Sequence, residues 1–228
     1  MDKDKVPDKE NLRFGTDRDA SGLGDTLLLT AVCKNLQTKP TILLHPTKER
    51  FSILFDKIAN IEITTESLPL SNIGGGHYAT QKLKNFYSNA QAFDVRPIVL
   101  HTCIQSEIWA DNIIRSLDKP PLIWQPYCCP TWHKTRSIPE RKHQGITGKY
   151  QDHYSILDLS REPYKNIPLS KYICLLRKCG MYVGCNTGDM HLAIAVGCSC
   201  EIHEPPSCRF FQSEKWKYFH PSVTYRII

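Results

Sequence analysis

No apolar run in this chain approaches the ~20 residues needed to span a bilayer. The amino terminus, Met1-Asp2-Lys3-Asp4-Lys5, alternates charge and lacks the apolar core of a secretory signal. It reads as a charged, solvated tail over residues 1–10, and the two absences together predict a cytoplasmic protein. Paired Cys-x-x-Cys motifs are missing as well. The chain has 10 cysteines, but Cys128-Cys129 with His133, and Cys198 and Cys200 with His203 and Cys208, follow no common zinc-ligand spacing. Without a secretion signal, a disulfide framework is not expected in a chain this long. Reduced, mostly buried thiols are expected instead, with Cys33 and Cys174 placed where a helix would bury them. Repeats at solenoid periods, low-complexity tracts and nucleic-acid-binding motifs are absent too.

What is present is an ordinary globular composition, 41% hydrophobic and 23% charged, over 228 residues. That length fits one large domain or two small ones. The formal charge of +6 is unevenly spread. Residues 1–118 carry 14 Lys/Arg against 15 Asp/Glu, whereas residues 119–228 carry 15 against 8. A basic carboxyl-terminal half suits a polyanionic ligand, a nucleotide diphosphate or a nucleic acid.

Strand and helix signals alternate along the chain, the pattern of an α/β protein with parallel sheets. Strands are expected at 12–15, 41–44, 61–63, 122–125, 154–159, 181–183, 201–203 and 223–227. Helices are expected near 25–36, 49–58, 78–87, 106–117 (with Ser106 as N-cap), 170–178 and 188–196, and a weak one opens with Pro139 at its first position. Lys119-Pro120-Pro121 reads as a domain boundary, which gives residues 11–118 and 119–228 as two small units.

Gly184-Cys185-Asn186-Thr187-Gly188 follows the buried strand Met181-Tyr182-Val183 and opens directly into a helix. Such a turn presents unpaired backbone N–H groups and the positive end of a helix dipole, so it suits an anion. Thr187 adds a hydroxyl, and Gly188 lets a ligand approach the backbone. Ser21-Gly22-Leu23-Gly24-Asp25-Thr26 opens the first helix in a similar way. Asp25 there is either a helix-capping acid or an acid facing the crevice at the strand ends.

These two motifs, with Arg136-Ser137-Ile138-Pro139-Glu140 between them, resemble glycosyltransferase family 9, the heptosyltransferase-like enzymes. The family pattern runs Gly-Asp before an apolar helix, then Lys-x-Trp-Pro-Glu, then Asp-Thr-Gly-x-x-His-Leu-x-Ala-Ala. Here Arg136 stands for the Lys, Ile138 for the Trp and Asn186 for the Asp. The resemblance implies a GT-B-like fold, two Rossmann-like domains with parallel sheets facing a cleft. The acceptor side would be amino-terminal and the donor-nucleotide side carboxyl-terminal. It implies a metal-independent transfer from a nucleotide-sugar donor to a carbohydrate or other hydroxyl acceptor, with no further cofactor. Asp25 would be the general base, and Arg136 with Asn186, Thr187 and Gly188 would bind the donor diphosphate.

Position adds other candidates. Lys134, in the loop after the Leu122 strand, could reach phosphate; Glu204, at the end of a strand before Pro205-Pro206, could bind ribose hydroxyls. His191 could contact the donor or pack in the core. Gly22, Gly24 and His77 fall on the acceptor side. Two alternatives stay open: a catalytically silent nucleotide-binding module, and a glycosyltransferase acting on modified nucleic acid.

Overall fold

The computed structural model describes residues 13–15, 22–36, 38–65, 96–128, 133–206 and 223–228. The expected helix at 78–87 and His77 lie outside these residues. The described chain divides into two compact units, 13–101 and 102–228.

The first unit carries a three-stranded parallel sheet in the order β1 (Arg13–Gly15), β2 (Thr41–Leu44), β3 (Asn60–Ile63). Helix α1 (Leu23–Cys33) connects β1 to β2, and its residues from Thr26 to Cys33 are all buried. Burial on every side explains a sequence with hardly any polar stripe. Between β2 and β3 the chain forms a 3₁₀ helix, Pro46–Phe55, rather than the α-helix expected at 49–58. His45 caps it, accepting the Thr47 N–H at 3.3 Å, and Pro46 takes its first position.

The second unit carries a five-stranded, wholly parallel sheet in the order β5-β4-β6-β7-β8. Its strands are β4 (Pro121–Gln125), β5 (Ser155–Asp158), β6 (Met181–Gly184), β7 (Cys200–Glu204) and β8 (Val223–Ile227). Its helices are α2 (Ile104–Arg115), α3 (His133–Arg136), α4 (Glu140–Thr147), α5 (Leu169–Lys178) and α6 (Gly188–Ala195). Side chains alternate across the sheet. Leu122, Trp124 and Val183 form one face and pack with Ile138 and with Ile146 of α4.

The compact units part at 101/102 rather than at 118/119. Helix α2 groups with the second unit because it packs on α5. Lys178 Nζ bridges Glu107 at 3.1 Å and Asp111 at 2.9 Å, and the Cys174 thiol donates to Glu107 Oε1 at 3.3 Å. The Pro120-Pro121 pair belongs to the sheet. Pro121 is the first residue of β4, a position that needs no N–H, and the Pro120 carbonyl accepts the Ser155 N–H at 3.0 Å.

Two helix starts differ from expectation. The N-cap of α2 is Cys103, with Ser106 buried one turn later. Pro139 is the N-cap of α4, whose first helical residue is Glu140.

The eight described cysteines are free thiols, and Cys33, Cys174, Cys179, Cys185, Cys198 and Cys200 are buried. Burial pushes the thiols of Cys33 and Cys198 up to about 12 and that of Cys174 to about 11. Among the described residues no three His, Cys, Asp or Glu side chains gather as a metal site. No described helix is long and apolar enough to cross a membrane.

Candidate functional site

Open parallel sheets bind ligands outside the carboxyl ends of their strands, at the point where strand order reverses. In the second unit the chain goes from β4 to β5 on one side, then returns past β4 to β6 on the other. The reversal therefore lies between β4 and β6. The residues leaving those strands are Gln125-Pro126-Tyr127-Cys128 and Cys185-Asn186-Thr187-Gly188.

The two strand ends are held close. Cys185 N–H donates to the Gln125 carbonyl at 3.0 Å. A Cβ on Gly184 would overlap that same carbonyl oxygen and lie 2.9 Å from the Tyr182 hydroxyl. Glycine at 184 is thus a steric requirement of the strand pairing. The loop after β4 is tied down by Ile138 N–H to the Pro126 carbonyl at 2.8 Å and Cys128 N–H to Ser137 Oγ at 2.9 Å.

Thr187 is the N-cap of α6, in extended conformation, and its hydroxyl accepts the Met190 N–H at 3.4 Å. The helix closes at its other end on Gly197, whose φ is +82. Gly197 N–H donates to the Ile194 carbonyl at 3.0 Å and Cys198 N–H to the Ala193 carbonyl at 2.9 Å, a Schellman pattern that favours glycine. Local signals at both ends therefore define a helix of only 8 residues. Its buried face rests on the sheet, and its first turn faces the strand reversal.

The residues expected around this turn have divided roles. Asn186 is buried and turned inward, donating from Nδ2 to Glu204 Oε1 at 3.0 Å; Glu204 is buried at the end of β7. These two candidates satisfy each other. His191 is 8% exposed, and burial together with the nearby Arg136 charge pushes its pKa down to about 3. It is a neutral packing residue. Arg136 is part-exposed, and its charge acts on both Cys185 and His191, so the guanidinium lies within electrostatic reach of the turn and of the helix above it. Gly188 begins α6 and is part-exposed. Lys134 belongs to α3, and its side chain lies outside the described residues.

In the first unit, Gly22 is the N-cap of α1. Its N–H donates to Asp25 Oδ2 at 3.0 Å, so Asp25 performs the capping role. Asp25 is exposed at the helix start, and Gly24 is part-buried beside it. Gly22 has φ −84 and ψ −176, and a Cβ there would meet only Asp25 Oδ2 at 3.7 Å. Any residue could adopt this backbone.

Sequence reasoning missed Gln125 and Asp189. Gln125 ends β4, and its Nε2 donates to Asp189 Oδ2 at 3.3 Å across the strand reversal. The signal was available, since each directly adjoins a recognised motif boundary, Pro126 in one case and Gly188 in the other. Tyr182 was noted only as a core strand residue; its hydroxyl lies 3.5 Å from Thr187 Oγ1.

No protein-family model matches this sequence, and none of the curated proteins matches it. Solved structures do. The chain is similar to a glycosyl transferase family 9 protein from Veillonella parvula, with a TM-score of 0.61 at 11% identity, covering 96% of this chain and 85% of that one. It is also similar to E. coli ADP-heptose LPS heptosyltransferase II, with a TM-score of 0.56 at 11% identity, covering 96% and 89%. The E. coli heptosyltransferase WaaC with ADP matches with a TM-score of 0.52 at 9% identity, covering 95% and 93%. The shared feature is the fold, an α/β architecture with parallel sheets that matches GT-B heptosyltransferases over nearly the whole chain.

Proposed function

We propose that the chain is a glycosyltransferase that moves a sugar from a nucleotide-sugar donor to an acceptor hydroxyl. The observation that carries this reading is the α6 turn at the strand reversal of the second sheet, with Thr187 as its cap and the Arg136 charge within reach. The likeness of fold to heptosyltransferases supports it, one of them a complex with ADP.

In this scheme the acceptor oxygen attacks the anomeric carbon of the donor. The bond from that carbon to the phosphate oxygen breaks, and the nucleoside diphosphate departs with the bonding pair. Arg136 and the first-turn amides of α6 stabilise the growing negative charge, which lets transfer proceed without a divalent metal. Asp25 takes the proton released by the acceptor hydroxyl. Gly188 keeps the approach to the backbone open, while Asn186, locked to Glu204, shapes the floor of the turn rather than touching phosphate. Lys134 adds a second cation to the phosphate side, and Gly22, Gly24 and His77 line the acceptor side. The sugar, the nucleotide and the acceptor are open in this scheme.

Donor binding and transfer are to be measured separately with a panel of nucleotide sugars, in wild type and Asp25→Asn. Transfer is expected to fall by about 10²- to 10⁴-fold with donor affinity unchanged, and EDTA is expected to leave the wild-type rate intact. Unchanged turnover in Asp25→Asn would remove the base assignment. A second reading, a nucleotide-binding module without transfer, is favoured by the capping bond that Asp25 makes to Gly22. Nucleotide binding with no transfer to any acceptor would select it.

A further inference from the structure

A polar cluster beside the α6 turn has no part in the diphosphate reading. Asp189, in the first turn of α6, accepts from Gln125 Nε2 at 3.3 Å and lies 3.5 Å from Thr187 Oγ1. The Gln125 bond fixes the carboxamide, because a carboxylate accepts only from the NH₂ side. Gln125 Oε1 is thereby turned to a place where it is buried and has no hydrogen-bond partner. Tyr172 of α5 is 6% exposed, and its hydroxyl also has no partner. Burial, and then the charge of Asp189, raise this phenol well above its ordinary range, which sets the hydroxyl in the field of the same carboxylate.

Buried polar atoms without partners are costly and rare. Two of them gathered about one carboxylate describe a place prepared for something that donates hydrogen bonds. Another anion would be repelled there by Asp189, so the complement is neutral and rich in O–H groups. The spacing of an acceptor amide oxygen and a carboxylate on either side of one Gln–Asp bond matches two hydroxyls on adjacent carbons.

We propose that Gln125, Tyr172 and Asp189 form a subsite for a vicinal diol of the nucleotide sugar. One hydroxyl donates to Gln125 Oε1, its neighbour donates to the Asp189 carboxylate, and the Tyr172 hydroxyl donates to a diol oxygen. This rests on the nucleotide-sugar reading and deepens it by dividing the turn into two flanks. Arg136 serves the phosphates, and the Gln125–Asp189 pair serves the hydroxyls. Ribose and the transferred sugar both offer such a diol.

Calorimetric titration with four probes separates these sources: ADP, 2′-deoxy-ADP, ADP-glucose and its 2-deoxy-glucose analogue, with the uridine series run alongside. Wild type, Gln125→Leu, Tyr172→Phe and Arg136→Ala are compared. Loss of the hydroxyl is expected to weaken wild-type binding about tenfold, and Gln125→Leu to abolish that discrimination. Tyr172→Phe, which keeps the core volume, is expected to reduce it. Discrimination within the nucleoside diphosphate pair assigns the diol to ribose, and discrimination only within the sugar-nucleotide pair assigns it to the transferred sugar. If the probes bind and depend on Arg136, yet the deoxy forms and Gln125→Leu bind as tightly as their parents, the diol subsite is overturned while the nucleotide reading stands. If no probe binds wild type, both are overturned.

Discussion

The chain opens two helices from glycine-containing turns, and the two turns are built on opposite principles. At α1 the cap is reciprocal and exposed: the Gly22 N–H reaches the Asp25 carboxylate at 3.0 Å, and a side chain at 22 would find room. At α6 the turn is buried and its surroundings are already committed. Thr187 holds Met190, Asn186 holds Glu204, and Gly184 lies against the Gln125 carbonyl. The first turn presents a carboxylate on a flexible surface motif, as a proton acceptor requires. The second presents fixed dipoles and a nearby cation, as stabilisation of a leaving group requires. Two similar glycine patterns therefore carry different physical demands, and only the second is enforced by packing.

The sharpest way to test that contrast is Gly184→Ala. Its Cβ meets backbone, which cannot swing aside, so chemical denaturation should show a loss of about 3 kcal/mol. A loss under about 0.5 kcal/mol would show that β4 and β6 separate easily, and the α6 turn would then be no more rigid than the α1 turn.

Acid should act on the second unit next. The His191 imidazole is held down at about 3 by burial and Arg136, against about 6.5 in an unfolded chain. His203 is also lowered, by burial, although the Glu201 carboxylate 2.8 Å away works against the shift. For such groups the unfolded state binds more protons, so their stabilisation is complete above about pH 6.5 and is lost as pH falls towards the folded values. Urea midpoints at pH 7, 6 and 5 should fall by the equivalent of about 1–2 kcal/mol over that range. In His191→Gln, which cannot take up a proton, the decline should flatten. A wild-type midpoint that does not move would place His191 in water rather than in the core.

Smaller again is Thr187→Ala, which removes the α6 cap and should cost about 1 kcal/mol, read as a lower melting temperature. Smallest is Gly22→Ala, expected to stay within about 0.5 kcal/mol of wild type, since neither its dihedrals nor its surroundings need glycine. If Gly22→Ala proved as damaging as Gly184→Ala, the contrast between the two turns would collapse.

Much of the fold was legible because the strands of the second sheet are short apolar runs between breakers. Thr41–Leu44, Met181–Gly184 and Val223–Ile227 lie where their apolar runs predict them. Periodicity was less informative between residues 46 and 55, where Pro46 and the His45 cap favour tighter 3₁₀ turns. The pair Pro120-Pro121 misled because proline signals a break and an edge equally well; only the Ser155 bond to Pro120 distinguishes them.

In the site, the cap at Thr187 was readable from Asn-Thr-Gly before an apolar run, because capping is local. The engagement of Asn186 with Glu204 was not, since it joins residues 18 positions apart through the sheet order. Gln125 and Asp189 are 64 residues apart and meet only because β4 pairs with β6. Contacts created by strand order leave no trace in local spacing.

The buried thiols have a further consequence. Cys33 lies in the first unit, and Cys174, Cys179, Cys185, Cys198 and Cys200 line the second, all closed to solvent and with their ionisation suppressed by burial. A thiol-reactive reagent can reach them only when the surrounding structure opens. Each unit therefore carries its own clock of transient unfolding, legible by mass spectrometry at single-residue detail under native conditions. Slowing of the second clock alone on adding a nucleotide would locate the ligand without any assay of chemistry.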